Sequence, residues 1–570
     1  MAARFWVGGS GTWNNSSTAN WSATSGGAPG ASAPTTADTV TFDANSGTAA
    51  TVTVDSTAVT STTTVDKSDI TLILSGNATL STTGAFTLSQ GTLNLNSNTL
   101  TVFRFSSSTA NNRTIAFGAN GKILLTGTNI LAWNTTSTPS TLTVSGSRNI
   151  EMTTAATTGT RQFAGGNVGE SKAWNLSVTA GTDTILIQNH INNLDLTGFA
   201  GIYANDDRTF YGNVIFVAGV TYSAGSTSTK FSATTGTQLL TTNGTTQDYP
   251  ITKDGAGTLQ LQDNLTMGST RTFTLTAGTL DLNNQTLSTG IFSSSNSNTR
   301  SIAFGTGNIT VTGNAATVWT TSTVTNFSYT GTPTVNFTYA GGTGTRTITT
   351  GALSEAQTIN INVSAGSDIV NNIASVKNLN FTGFTGTWNH NATTTAYVNV
   401  TLVSGMSNSG TGILFFGSAN SAQQFTTAGL TLDFPISVGS NLSAPILQFQ
   451  DALTMGATRA FTLAGGTVEL KAGVTSTVGS FVATSPRPRT LRSTLAGTQA
   501  TLSQASGTVD ANQLTIQDIN AVGGATFNAF VNQQNVDAGN NDGWDFGISP
   551  IVGSYEYTYQ LRSFTQPRRF

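Results

Sequence analysis

Short runs in which an apolar residue alternates with Thr, Asn or Asp recur along most of this chain. Examples are TLIL at Thr71–Leu74, TLNL at Thr92–Leu95 and TLDL at Thr279–Leu282. Alternation at a period of two places one face of an extended strand against a core and the other toward water. Gly, Asn and Ser separate the runs at roughly eight to twelve residues, the spacing of short strands joined by turns. No window sustains apolar residues at helical spacing, so the pattern predicts an almost wholly β protein.

The pattern also repeats as text. FTLTAGTLDLNNQTLSTGIFSSSNSNTRSIAFG from Phe273 matches FTLSQGTLNLNSNTLTVFRFSSSTANNRTIAFG from Phe86, and the offset is constant: 273 − 86 = 187 and, at the Ile of IAFG, 302 − 115 = 187. A looser third copy opens at Phe461 as FTLAGGTVEL, with 461 − 273 = 188. LQLQDNLTMGSTR from Leu259 returns as LQFQDALTMGATR from Leu447, and TAGTDTILIQNH from Thr179 returns as SAGSDIVNNIAS from Ser364, with 364 − 179 = 185. Duplication of this kind suits a unit that stacks on itself.

Two all-β architectures fit, a parallel β-helix and a row of tandem β-sandwich domains. Scarce proline, Asn- and Gly-rich turns and very short Thr-rich strands favour the parallel β-helix, in which like residues stack coil on coil about 4.8 Å apart. With coils of about 22 residues, one repeat would hold about eight of them. The text divides into a Trp-rich N-terminal capping module (1–45), a first solenoid unit (46–258), a second (259–446), a partial third with a closing coil (447–547), and a C-terminal attachment strand (548–570). In the capping module Trp6, Trp13 and Trp21 fall close together and read as rings covering the open end of the solenoid; a carbohydrate-stacking platform is the alternative. In the last segment Tyr555, Tyr557, Tyr559 and Leu561 alternate with polar residues. Together with Arg562, Phe564, Arg568, Arg569 and Phe570 they read as an extended tail for docking a partner, or as a strand folded back on the last coil.

Composition narrows the function classes. Charged residues are 9% of the chain and the formal charge is −3, so a nucleic-acid footprint of dense Lys and Arg is missing, as is the basic surface that attaches proteins to membranes. There is no cysteine, hence no disulfide and no thiolate metal site. The opening MAARFWVGGSGTW has no basic segment followed by an apolar run, and no apolar stretch is long enough to span a bilayer, so export by another way is expected, of which lysis as part of a virion is one.

Candidate chemistry is sparse. Phe105 with Arg113, Phe292 with Arg300 and Phe481 with Arg489 each stand eight residues apart, and Trp133 recurs as Trp319 (319 − 133 = 186). These repeated positions read as structural, the guanidinium satisfying turn carbonyls or stacking on an aromatic ring; binding of an acidic glycan is the functional alternative. The two histidines, His190 and His390, do not correspond between copies, so a His-based triad or zinc site is not expected. Asp206 and Asp207 are adjacent acids without a counterpart in the next copy and read as a turn, with a hydrolase carboxylate pair as the alternative. NNDGWD at Asn540–Asp545 lacks the spacing of a calcium loop. No cofactor is expected.

The opening FWVGGSGTWNNSSTANWSATSGGAPGASAPTTADTVTFDANSG and the closing DINAVGGATFNAFVNQQNVDAGNNDGWDFG resemble the N-terminal module and last coil of β-helical structural proteins of tailed bacteriophages; a related Trp-Gly-Gly pattern also introduces bacterial adhesin passengers. The resemblance covers fewer than a hundred residues and carries over no catalytic residue. It implies a virion component, a tail fibre, spike or capsid-decorating appendage, homo-oligomeric and often trimeric. Such a protein would be held to other virion proteins through its tail, with a host surface glycan as a further partner. The alternatives are a polysaccharide-degrading tailspike and a bacterial adhesin.

Overall fold

The computed structural model describes residues 1–549 except 129, 137–138, 205, 372, 419–421 and 441–443. The described chain is a parallel β-solenoid of about 22 turns, with no α-helix. It forms two compact units. The first holds Met1–Asn389 with Gly405–Ser407; the second holds His390–Ser404 and, from Asn408, the rest of the described chain. This division by compactness is independent of the division by repeated text.

Each turn is built from the alternating runs. Ala85–Leu88, Gly91–Asn94 and Thr99–Val102 are three successive strands, and the next, Arg104–Ser106, lies back on Ala85–Leu88 in parallel register, so a turn has three faces. Coil length varies with the bends. It is 21 residues from Thr71 to its partner Thr92, 22 from Gly91 to Arg113 and 29 from Arg113 to Leu142. The second unit is made the same way: Gly466–Leu470, Arg489–Ser493, Leu514–Gln517 and Val536–Asp537 stack in parallel.

Alternation fixes the core, because inward positions repeat coil after coil and fill with Leu, Ile, Val and Phe. Leu100, Ile123, Ile150 and Leu176 are successive register partners and all are buried. At roughly 25 cal/mol per Å² of apolar surface removed from water, such columns are the main source of stability. The outward faces carry Thr, Ser, Asn and Gln. Amide ladders run along them, as where Asn362 donates to Asn336 (2.8 Å) and Asn336 to Asn308 (3.3 Å).

One feature of the first unit is not visible in the alternation. The strand Thr184–Asp195 is twelve residues long and bends at Asn189, whose φ of 70° is left-handed. It pairs onward with three separate strands, Ile202–Ala204, Arg208–Phe210 and Val214–Ile215. Eight successive pairings carry the face of Thr99–Val102 through this strand to Gly278–Asp281. Yet the repeated text of Thr99 is Thr286, one strand further on. A copy therefore spans eight turns plus one strand, and equivalent residues of successive copies sit on different faces.

At the N-terminal end Ala3–Trp6 pairs antiparallel with Trp21–Ser22 and parallel with Thr39–Phe42. This folds the first forty residues onto the first coil. At the other end Thr508–Asp510, Thr526–Asn528 and Trp544–Asp545 form a closing three-stranded stack, with Phe527 and Trp544 in edge contact at 5.1 Å.

Candidate functional site

The residues repeated between copies gather into one recurring arrangement. Phe105 stacks between Phe86 (5.7 Å between ring centres) and Trp133 (4.6 Å), and Phe292 between Phe273 (5.9 Å) and Trp319 (4.5 Å), all within 20° of parallel. Both tryptophans donate Nε1 to a threonine hydroxyl two residues on, Thr135 and Thr321, each at 3.1 Å. Phe481 meets Phe461 at 5.8 Å with the planes tilted by 40°. These stacks are buried and contribute roughly 0.5–1.5 kcal/mol per ring pair beyond area burial.

The arginines of the same copies are buried as well. Arg113 pairs in register with Gly91, Arg300 with Gly278 and Arg489 with Gly466. Each arginine stem thus lies over a position with no side chain. Gly278 has φ +74°, and a Cβ there would lie 2.3 Å from the Gly257 carbonyl oxygen, so the turn admits only glycine. Arg300 donates to the carbonyls of Asn298 (3.0 Å), Ser294 (2.9 Å), Thr323 (2.9 Å) and Thr325 (3.0 Å), with its guanidinium over the Phe327 ring. Arg113 donates to the hydroxyl and carbonyl of Ser107, and Arg489 to the carbonyls of Leu463, Ser485 and Asn512. Burial lowers the pKa of all three, Arg489 to about 10. Neither Arg300 nor Arg489 makes an ion pair among the described residues.

Sequence reasoning missed a second repeated arginine set. Arg161 meets Asp183 through Nε (2.8 Å) and Nη2 (2.8 Å), and Arg346 meets Asp368 through the same atoms at 2.6 and 2.8 Å. All four side chains are essentially inaccessible. Nη2 also reaches the carbonyl of Ala180 in one copy and Ala365 in the other. The signal was present: 346 − 161 = 185 and 368 − 183 = 185, the offset that already linked TAGTD to SAGSD. Gly181 and Gly366 precede the acids, and a side chain at either would strike the ion pair.

Trp6, Trp13 and Trp21 cluster around Phe42, with Trp6 to Trp21 at 5.0 Å and Trp13 to Trp21 at 5.5 Å. Their rings are buried, so none presents a face to solvent for a sugar. Trp6 donates Nε1 to the Gly9 carbonyl at 3.0 Å.

The candidate acids and histidines do not converge. Asp206 accepts from Gln188 (2.6 Å), whereas Asp207 lies 3.9 Å from Lys230. His190 holds its Nδ1 against the Val168 carbonyl, beside Tyr211. His390 is buried in the second unit, Nε2 2.9 Å from the Thr394 hydroxyl and its ring 4.8 Å from Phe434; burial lowers its pKa to about 4. Among the described residues no group of three or more His, Asp or Glu could hold a metal ion, and no helix is long and apolar enough to cross a membrane.

Shallow polar clefts follow the outer faces. One of about 230 Å³ is lined by Gln424, Gln448 and Glu469, another of about 190 Å³ by Glu469, Arg492 and Gln517. Here Gln448 and Arg492 both donate to Glu469, so the carboxylate is held from two sides. The residues expected to dock a partner, Tyr555, Tyr557, Tyr559, Leu561, Arg562, Phe564, Arg568, Arg569 and Phe570, lie outside the described residues. No family model matches the chain, and neither curated proteins nor solved structures give a match.

Proposed function

We propose that this chain is a structural virion protein of a tailed phage, a tail fibre- or spike-like appendage used in host attachment. One observation carries the reading: what the copies keep is packing. The Gly–Arg turns, the aromatic stacks and the buried Arg–Asp pairs recur, while outward acids such as Asp206 and Asp207 become Thr or Ala in the next copy. Duplication that preserves the stack and lets the surface drift suits a part whose task is extension and stiffness. The resemblance of the opening and closing segments to phage β-helical proteins supplies the setting. The uncharged Thr, Ser and Asn exterior suits contact with a host glycan. Attachment to other virion proteins falls to the tail, and assembly as a homo-oligomer follows the habit of such appendages.

The test is mass spectrometry of purified particles from the source phage, with and without deletion of Ser554–Phe570. The full chain is expected in the particles, and the deletion is expected to leave a folded β protein by circular dichroism that no longer incorporates. Absence of the full chain from particles overturns the virion reading. Unchanged incorporation of the deletion overturns the role of the tail alone.

A further inference from the structure

Arg208 differs from every other buried arginine described above. Its side chain is inaccessible, and its guanidinium carbon lies 4.6 Å from the Tyr203 ring centre and 4.7 Å from that of Tyr249. Nη1 makes two long contacts, to the carbonyls of Ala204 (3.4 Å) and Asp206 (3.3 Å). Among the described residues Nε and Nη2 have no hydrogen-bond partner, nor do the buried hydroxyls of Tyr203 and Thr229. Thr229 is the register partner of Arg208 on the next coil, so its hydroxyl and the guanidinium rise from adjacent rungs of one column. Tyr249 donates its hydroxyl to Gln247, and its oxygen lies near Arg208 and Thr229.

What is missing here is a counter-charge. A guanidinium only donates, and a buried cation left uncompensated is costly. Among the described residues no carboxylate pairs with it: Asp206 accepts from Gln188 and Asp207 faces Lys230. A tyrosinate does not supply it either: burial pushes the pKa of both Tyr203 and Tyr249 up, which keeps them protonated. The next coil of the same unit adds a second interior cation, Lys253, whose ammonium is held by the Gly255 carbonyl. Arg113, Arg300 and Arg489 meet backbone carbonyls, and Arg161 and Arg346 meet carboxylates. Arg208 has neither.

We propose that the interior of the first unit binds a small monovalent anion of halide type at Arg208. Nε and Nη2 of Arg208 and the hydroxyls of Tyr203 and Thr229 are its donors, and the flanking tyrosine rings exclude larger or multivalent anions. The bound ion neutralises the coil in the way Asp183 and Asp368 neutralise theirs.

The test uses the full chain. Thermal unfolding is followed in sodium bromide and in sodium gluconate at equal ionic strength, which separates binding from screening. The midpoint is expected to shift upward with bromide concentration, and Arg208→Met is expected to abolish that shift. Equal midpoints in the two salts, or an unchanged bromide shift in the variant, overturns the proposal. Should Arg208→Met fail to fold, anomalous diffraction from wild-type crystals grown in bromide decides. A peak in contact with the Arg208 guanidinium and the Tyr203 hydroxyl supports the site; no peak there, whatever is bound elsewhere, overturns it.

Discussion

The bends around Arg300 and Arg346 lie in the same unit and bury the same side chain by opposite means. Arg300 spreads its donors over four carbonyls and an aromatic face, with no counter-charge. Arg346 gives two nitrogens to one carboxylate and keeps a single carbonyl contact. The first arrangement consumes orphan acceptors that a tight bend produces in any case, and it leaves a net charge inside. The second leaves no net charge, but it buries two ions whose desolvation cost is large. A bend rich in inward carbonyls can therefore hold an arginine alone, whereas a bend without them needs an acid, and the AlaGlySerAsp turn provides it.

The strongest way to break this comparison is to remove the acid. Asp368→Ala strands Arg346 in the interior and is expected to destabilise the first unit by about 3–5 kcal/mol. Replacing both partners, Arg346→Met with Asp368→Leu, is expected to restore most of that loss, because the ion pair then no longer has to be desolvated. Denaturant unfolding gives the total, and hydrogen exchange over Thr345–Thr350 shows whether the loss is local. A double variant as damaged as the single one would mean that the pair supplies something beyond charge balance.

A smaller effect is expected at the other bend. Arg300→Lys keeps the charge but has a point donor in place of a fork, so it leaves at least one carbonyl among Asn298, Ser294, Thr323 and Thr325 unsatisfied. The expected cost is roughly 2 kcal/mol, read by the same exchange measurement over Arg300–Ala303. No cost would show that the carbonyls are not what holds the guanidinium.

The two bends also differ in how far they could be read from sequence. Strands and coil stacking were legible because side-chain alternation is a local property, and Phe105, Arg113, Trp133 and their copies stood out because the same letters recur at a fixed offset. Asp183 and Asp368 recur as faithfully, but a lone acid at a turn is an ordinary turn residue. Only its partner, one coil away and 22 residues distant, makes it structural. The change of face at Thr184–Asp195 was hidden for a different reason. Alternation breaks at Gln188–His190, which reads as an ordinary turn between two strands, and only pairing reveals that one continuous strand turns a corner at Asn189 and feeds three. The charge imbalance at Arg208 was hidden likewise, since it depends on which rings and hydroxyls a neighbouring coil brings near.

The smallest expected effect extends the comparison from arginine to bases that can release a proton. A buried arginine stays charged at neutral pH even where its pKa is lowered, so burial must be met by partners; a buried lysine or histidine can more readily become neutral. His390 in the second unit takes this route at neutral pH and Lys253 in the first only on the alkaline side, with pKa values lowered by burial to about 4 and about 8. In both cases the unfolded chain holds the proton over a range in which the folded chain does not, so stability rises with pH through each window. For His390 that contribution is complete above its ordinary value of 6.5 and is lost as pH falls toward 4. For Lys253 the penalty of the buried charge is full below pH 8 and is relieved as pH rises toward 10.5. His390→Gln, which retains an acceptor and donor for Thr394, is expected to flatten the acid limb of the second unit by roughly 1–2 kcal/mol, at about 1.4 kcal/mol per unit of pKa difference. Unfolding of wild type and variant at about pH 7 and about pH 5.5 measures it. Parallel pH profiles would mean that the imidazole is solvated enough to charge in place, and that proton release is not how this interior accommodates a base.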